Sequence, residues 1–312
     1  MAPASQVNAR SQHRSPYTFD LISGVTTDPF YLTMLRGARA AARAYGVHVV
    51  SLGSPDSFRA SEQIPYINLA IQQHADAILL APTGRAPLAP SLAAAHAAGI
   101  PVITLDTSTG SPIPLTRITS RNAEGGRLAA KALARAMGYR GSVLLISVNP
   151  GAAAIDRRQR GFKRQLSRYP NMRYVGIRYT GYNVLRAEPE IARVLKHHPT
   201  LGGIASLDAV SGQGVIAAVT APSRQRQPAR PRIKLVEFDT EPVQVYTLRR
   251  GTIDALIAQD PFDMGTLAVA LAEKHLSGRL PAVQKHYFTR EAIITRANVD
   301  ARGVQRLLYS GK

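Results

Sequence analysis

The sequence predicts an α/β protein made of two doubly wound lobes, each on a parallel sheet. Three observations carry that prediction. Short apolar runs alternate with amphipathic helical segments about once every 25–30 residues, the pattern of βαβ units. A Ser/Thr/Gly/Pro loop at 107–114 interrupts the alternation, which then resumes as a second series. With 312 residues, 45% of them hydrophobic, the chain is long enough to fill two cores.

The first series opens with a strand at 17–23, a loop at 24–29, and a helix on which Leu32, Leu35, Ala38, Ala42 and Tyr45 recur at helical spacing before Gly46 closes it. Runs at 47–52, 77–81 and 100–105 read as further strands, separated by helices at 61–73 and 88–98. Gly99 ends the second of these helices, and the continuous apolarity of 100–105 is that of a strand buried on both faces. Asp106 follows it. Ligands of open α/β sheets bind beyond the carboxyl ends of the strands, which makes Asp106 a site candidate. Taken alone, it also reads as a strand-end Asp capping the next turn.

Residues 118–122 carry the chain into the second series, with helices at 123–137, 157–168, 190–197 and 211–220 and strands at 143–147, 174–178, 203–207 and 234–238. The tail adds a helix at 242–249, a strand at 253–257, a helix at 262–276 and an extended segment at 287–295. Because crossover connections are right-handed, the tail is expected to return to the first lobe and finish on the second. Crossings between lobes are expected at 120–122, near Thr240 and past Gln259. The expected organisation is a flexible leader at 1–16, a first lobe of 17–120 plus 260–288, and a second lobe of 121–259 plus 289–312.

Composition excludes several classes of function. Without cysteine there is no disulfide, thiolate metal site or cysteine nucleophile, and the redox compartment cannot be read. The polar leader carries Arg10 and Arg14 but no apolar core, so it is not an intact signal peptide. No uncharged apolar run of about 18 residues exists, and no transmembrane helix is expected. The formal charge of +19, from 32 arginines and 7 lysines against 20 acids, raises nucleic acid or an anionic surface as a partner. The clusters at Arg157, Arg158 and Arg160, at Arg249 and Arg250, and at Arg224, Arg226, Arg230 and Arg232 stand among otherwise scattered arginines. The last of them has no interleaved aromatics, and no nucleic-acid motif is present. A solvated basic surface is expected, with no nucleic-acid partner.

Gly212-Gln213-Gly214-Val215-Ile216-Ala217 matches a GxGxxA fingerprint, yet the segment 208–211 separates it from the strand before it. Helix-start packing is expected there, and no cofactor. Adjacent His197 and His198 rarely converge on one ion, so no metal is expected. No HExxH, GxSxG or Walker A sequence supports an enzyme.

Several loops read together resemble the periplasmic sugar-binding proteins of the ribose- and galactose-binding type, the solute receptors of ABC importers. The matching pieces are Asp28-Pro29-Phe30-Tyr31, Ala75-Asp76-Ala77-Ile78-Leu79-Leu80-Ala81-Pro82, Gly99-Ile100-Pro101-Val102 with Asp106, and Arg158-Gln159-Arg160-Gly161-Phe162. His198-Pro199, Phe238-Asp239, Ala258-Gln259-Asp260-Pro261 and Ile294-Thr295-Arg296-Ala297-Asn298-Val299-Asp300 continue the match in order, so that it covers 17–300. The resemblance implies two Rossmann-like lobes of the type I periplasmic-binding fold, joined by three hinge crossings and closing on one small ligand. It implies a monomeric receptor, periplasmic or extracellular, with or without a lipid anchor, whose partner is the membrane permease of an ABC importer.

Position by position, the resemblance puts Asp28, Phe30, Tyr31 and Asp106 in the pocket from the first lobe, Arg158, Tyr182, Asp208 and Asp239 from the second, and Gln259 from a hinge. The chemistry suits a sugar. A carboxylate accepts two hydroxyl protons, Arg donates through a fixed fork, and aromatic faces cover the C–H faces of a ring. Asp28 and Asp208 stand where the ribose-type pattern usually has Asn, and Thr107 where it usually has Arg. Four carboxylates then face one guanidinium, which admits an amino sugar or another cationic ligand beside neutral sugars and polyols.

The effector domain of a lactose-repressor-type regulator shares this fold and much of the pocket. Such regulators carry a helix-turn-helix of about sixty residues ahead of the first strand, and here only sixteen polar residues precede Tyr17, which favours the transport receptor. The sensor module of a membrane signalling protein is a third reading the residues leave open.

Overall fold

The computed structural model describes residues 16–84, 86–150, 153–181, 184–221, 232–280 and 282–310. The cluster Arg224, Arg226 and Arg230 lies outside them, as does Tyr182.

The first sheet is built from β1 (Thr18–Ile22), β2 (His48–Leu52), β3 (Ala77–Leu80), β4 (Val102–Leu105), β5 (Thr116–Ser120) and, from the tail, β11 (His286–Thr289). Its order is β11-β5-β4-β3-β1-β2 and every pair is parallel. All four residues of β3 and of β4 are buried, because helices cover both faces. The second sheet holds β6 (Gly141–Ser147), β7 (Met172–Tyr179), β8 (Leu201–Ser206), β9 (Lys234–Phe238), β10 (Ala255–Ala258) and β12 (Ala292–Ile294), in the order β12-β10-β9-β8-β6-β7. Strand for strand, the two orders correspond. One edge departs from the expected parallel pairing: β12 runs antiparallel to β10, with Ala292 opposite Ala258 and Ile294 opposite Leu256. Only Arg290 and Glu291 separate it from β11, so with no crossover helix the chain enters the second sheet at the carboxyl ends of its strands and runs back.

The helices follow from their caps and apolar faces. In the first lobe α1 (Pro29–Tyr45) starts at Asp28, with Pro29 in its first turn, and ends where Gly46 turns left-handed at φ 65°. It is followed by α2 (Ile64–Gln72) and α3 (Ala89–Ala97). The second lobe carries α4 (Asn122–Ala136), α5 (Ala153–Leu166), α6 (Val184–His197), α7 (Ala209–Thr220) and α8 (Pro242–Arg249). α6 starts six residues before the sequence pattern suggests, with Pro189 inside it. The tail contributes α9 (Pro261–Leu276) and the short α10 (Arg302–Gln305). No helix of the described residues is long and apolar enough to cross a membrane.

The chain passes between the sheets after β5, after β10 and between β11 and β12. The crossing expected near Thr240 is corrected: from β9 through α8 to β10 the chain stays on the second sheet, and the third crossing is at Arg290 and Glu291. Thr240 instead receives the tail, its Oγ1 donating to the Leu307 carbonyl at 2.5 Å and its carbonyl accepting from Tyr309 N at 3.1 Å. Leu307 packs with Val245 and Leu248 of α8, whereas Tyr309 packs in the first lobe's core with Phe30.

Each lobe holds one pair of helices in backbone contact. A Cβ on Gly37 of α1 would overlap the carbonyl of Phe262, and one on Gly265 of α9 the carbonyl of Met34. In the second lobe a Cβ on Gly126 of α4 would overlap the carbonyl of Arg158, and one on Gly161 of α5 that of Ala123. Overpacking of this kind costs about 1–3 kcal/mol. Gly126→Ala and Gly37→Ala should therefore both lower the urea midpoint, but only Gly126→Ala displaces the backbone of Arg158. Wild-type stability for Gly126→Ala would show that α4 and α5 are not in contact as described.

Candidate functional site

The carboxyl ends of both sheets face one cavity of about 370 Å³ between the lobes. Asp106 follows β4 and Asp239 follows β9, and both adopt left-handed backbone, φ 62° and 76°. For a residue with a Cβ this costs roughly 1–2 kcal/mol. The geometry repeats in detail: Asp106 N donates to Ile118 O on the neighbouring strand at 2.9 Å, and Asp239 N to Ile257 O at 2.9 Å. Each amide therefore extends its sheet by one bond while the backbone turns and the side chain lines the cavity.

α1 brings Asp28, Phe30 and Tyr31. Asp28 caps the helix, its Oδ1 accepting from Phe30 N at 2.7 Å. Phe30 stands edge-on to Tyr31 at 5.2 Å and to Tyr309 at 5.6 Å, and Tyr31 lies 6.2 Å from Phe58. Phe58 lines the cavity too, and it sits in a loop without periodicity that would single it out. Behind this wall buried Gln63 donates to Ser23 O at 3.1 Å and Ala81 O at 2.8 Å and accepts from Thr83 N at 2.9 Å, tying the ends of β1 and β3 together.

Arg158 enters from α5 and is only 4% exposed. Its Nε donates to Asn122 Oδ1 at 2.8 Å, its Nη1 to Leu207 O at 2.8 Å, and its guanidinium stacks 4.3 Å from the centre of the Phe238 ring. The fork is thus oriented before any ligand arrives. Asp208 also lines the cavity, but its oxygens are committed: Oδ1 caps α7 through Ser211 N at 2.8 Å, while Oδ2 accepts from Ser147 Oγ at 2.9 Å and Val148 N at 3.1 Å. Gln259 joins hinge to cleft. Its Nε2 donates to Asp239 Oδ1 at 2.6 Å, its Oε1 accepts from Ser120 Oγ at 2.7 Å, and Tyr309 OH also donates to Asp239 Oδ1 at 3.0 Å.

Asp28, Phe30, Tyr31, Asp106, Arg158, Asp208, Asp239 and Gln259 therefore line one cavity, while Tyr182 lies outside the described residues. Sequence reasoning missed Phe58, Glu241 and Tyr309. Glu241 opens α8 and accepts from Gln213 Nε2 at 2.8 Å. Its nearness to Asp239 in sequence was the available signal, whereas Tyr309 lies beyond the residues that carry the resemblance.

Burial and like charge push Asp28, Asp106 and Glu241 up. Asp106 reaches about 7, mainly by burial, with Arg158 opposing and Asp239 and Asp28 adding to the rise. Asp28 reaches about 6 by burial and the charge of Asp239, against its backbone hydrogen bonds. Glu241 reaches about 7 by burial and the charges of Asp28 and Asp239. Asp208 is raised by burial despite its donors. Behind the cleft, burial lifts Glu237 to about 8, and lifts Glu291 on the third crossing to about 7 against the pull of Arg158. The two glycines of the GxGxxA match serve packing: a Cβ on Gly212 would stand 2.6 Å from Glu237 Oε2, and one on Gly214 would overlap Ala187 Cβ.

Comparison with known proteins follows the same lines. A solute-binding protein of an ABC transporter from Agrobacterium vitis, solved with bound alpha-D-tagatopyranose, superposes with a TM-score of 0.84 at 34% identity, covering 94% of this chain and 99% of that one. The ribose import binding protein of Bacillus subtilis is 23% identical over 271 residues, 87% of this chain and 85% of its own length. The D-apiose import binding protein of Paraburkholderia graminis is 25% identical over 272 residues, again 87% and 85%. The profile of the periplasmic binding protein domain matches residues 19–280, and the chain belongs to that family.

Proposed function

We propose that this protein is an extracytoplasmic solute-binding receptor that captures a small sugar or polyol between two closing lobes and delivers it to the membrane permease of an ABC importer. One observation carries the reading: a monosaccharide-sized cavity receives Asp106 from one lobe and Asp239 and the pre-oriented Arg158 from the other, beside an aromatic wall. The relatives named as ribose and apiose import binding proteins support it over a repressor's effector domain. Within it, Asp106 and Arg158 anchor the ligand from opposite lobes, Asp28 and Asp239 accept hydrogen bonds from its donors, and Gln259 couples the site to the hinge. Asp208 serves chiefly as the cap that shapes the second-lobe loops. The receptor acts as a monomer with lobes 17–120 plus 260–288 and 121–259 plus 289–312, with Tyr309 reaching back to Phe30 of the first lobe.

A thermal-shift screen of pentoses, hexoses, polyols and amino sugars tests the function, since ligand at 100 times its dissociation constant stabilises by about 2.7 kcal/mol. Absence of any shift across the screen counts against it. Once a ligand is found, Asp106→Ala removes an acceptor that closure brings to the ligand and should weaken binding by about 2–4 kcal/mol, roughly 30- to 1000-fold, at little cost in stability. Asp208→Ala should behave the other way, losing about 0.5–2 kcal/mol of stability with the cap while the affinity falls less. Calorimetric titration and urea unfolding of both variants separate the two roles, and equal affinity losses would reject the division between them.

The raised carboxyls also set a pH dependence. Asp28, Asp106, Glu241, Glu291 and Glu237 have folded-state pKa values above their unfolded ones, so between the two the native protein holds more protons than the unfolded chain, and stability falls as pH rises. His286 works in the opposite sense, pushed down to about 4 by burial and by Arg117, Arg157 and Arg121, but its contribution changes only below about 6.5. The ligand-free protein should therefore melt at a lower temperature at pH 8 than at pH 6.5. A melting temperature that rises over this window would contradict the burial of these carboxyls.

A further inference from the structure

Five carboxylates line the cavity, Asp28, Asp106, Asp208, Asp239 and Glu241, with Arg158 as the one cation among the lining residues described. Arg158 does not serve them equally. Its charge acts on Asp106 and Asp208. The charges that act on Asp28 and Glu241 are other carboxylates: Asp239 on Asp28, and Asp28, Asp239 and Asp208 on Glu241. Asp28 and Glu241 therefore have other carboxylates as their charged neighbours, whereas Asp106 and Asp208 also have Arg158.

The hydrogen-bonding inventory points the same way. Gln259 and Tyr309 both donate to Oδ1 of Asp239, Phe30 N donates to Oδ1 of Asp28 and Gln213 Nε2 to Oε2 of Glu241, which leaves lone pairs on each carboxyl for an occupant. Ionised carboxylates only accept, so the Asp28–Asp239–Glu241 corner asks its occupant for donors. A hydroxyl supplies one donor together with lone pairs of its own, whereas an ammonium supplies three donors, a positive charge and no acceptor. A neutral sugar at this corner leaves the repulsion in place or requires the carboxyls to hold protons.

Resting on the receptor reading, we infer that the ligand is a sugar-sized polyhydroxylated molecule bearing a protonated amine, its ammonium set among Asp28, Asp239 and Glu241 and its hydroxyls against Asp106 and Arg158. The cleft supplies the site, and the distribution of its charges selects the chemical class. In the ligand-free protein the counter-charge at this corner is supplied in part by protons, as the raised values of Asp28 and Glu241 indicate. An arriving ammonium displaces those protons.

The test is calorimetric titration at pH 7 of the whole protein with D-glucosamine and D-galactosamine, their N-acetyl forms, the parent hexoses, D-ribose and D-tagatose, each in two buffers of different ionisation enthalpy. The expected result is an amine bound about 10- to 100-fold more tightly than its parent hexose, with net proton release, and a smaller amine-to-parent ratio in Glu241→Gln. If a neutral sugar binds as tightly as the amines and releases no proton, the charge inference is overturned and the receptor reading stands. If no compound of either kind binds, the sugar-receptor reading falls and takes the inference with it.

Discussion

The cleft depends on a chain of hydrogen bonds from buried Ser120 through buried Gln259 to half-buried Asp239 and on to buried Tyr309. Ser120 ends β5 at the first crossing, Gln259 lies on the second, Asp239 follows β9 and lines the cavity, and Tyr309 belongs to the tail. A cavity-lining carboxylate is thereby fastened to segments that link the two lobes. Because Asp239 holds a left-handed backbone that its Cβ disfavours, the bonds from Gln259 and Tyr309 also hold that strained residue in place at the cavity wall.

A second bond set stiffens the same region. Asp260, fully buried, caps α9 through Asp263 N at 3.0 Å and accepts from Arg290 Nε and Arg306 Nη2 at 3.1 Å each. Arg290 lies on the third crossing, so Asp260 ties it to the second. The half-exposed guanidiniums leave water to share part of the charge, so the pair works by geometry more than by net stabilisation. The crossing segments are thus cross-linked by polar contacts, while within each lobe helices touch backbone to backbone at Gly37 and Gly265 or at Gly126 and Gly161.

Electrostatics and closure are coupled by burial. Asp28, Asp106, Asp239 and Glu241 come from both lobes, and their repulsion is strongest when water is excluded. Arg158 offsets only part of it from a fixed position on Phe238 and Asn122. An occupant that supplies donors or positive charge therefore contributes to affinity and to closure through the same contacts.

Much of this was legible in the residues. The alternation of apolar runs and helical faces located nearly every strand and helix, because period and length are local properties. Asp106 and Asp239 stood out because each ends an apolar strand. Asp28 and Asp208 read alike as ligand acceptors, and only the structure shows that both oxygens of Asp208 already accept hydrogen bonds, since whether an oxygen is spent on Ser147 or Ser211 depends on which loops meet. The crossing expected at Thr240 shows the same limit: its sequence breaks a strand, but which sheet the next strand joins is a non-local choice. Tyr309 was out of reach altogether, because a tail carries no periodic signal and its partners lie 70 residues away at Asp239 and further still at Phe30. The sequence by itself determined the two βα series, the glycines at 46 and 99 that end two of their helices, and the acids at their strand ends. The tertiary structure alone decided which of those acids share a cavity and which are bound by their own backbone, because burial and like charge act across lobes that only folding brings together.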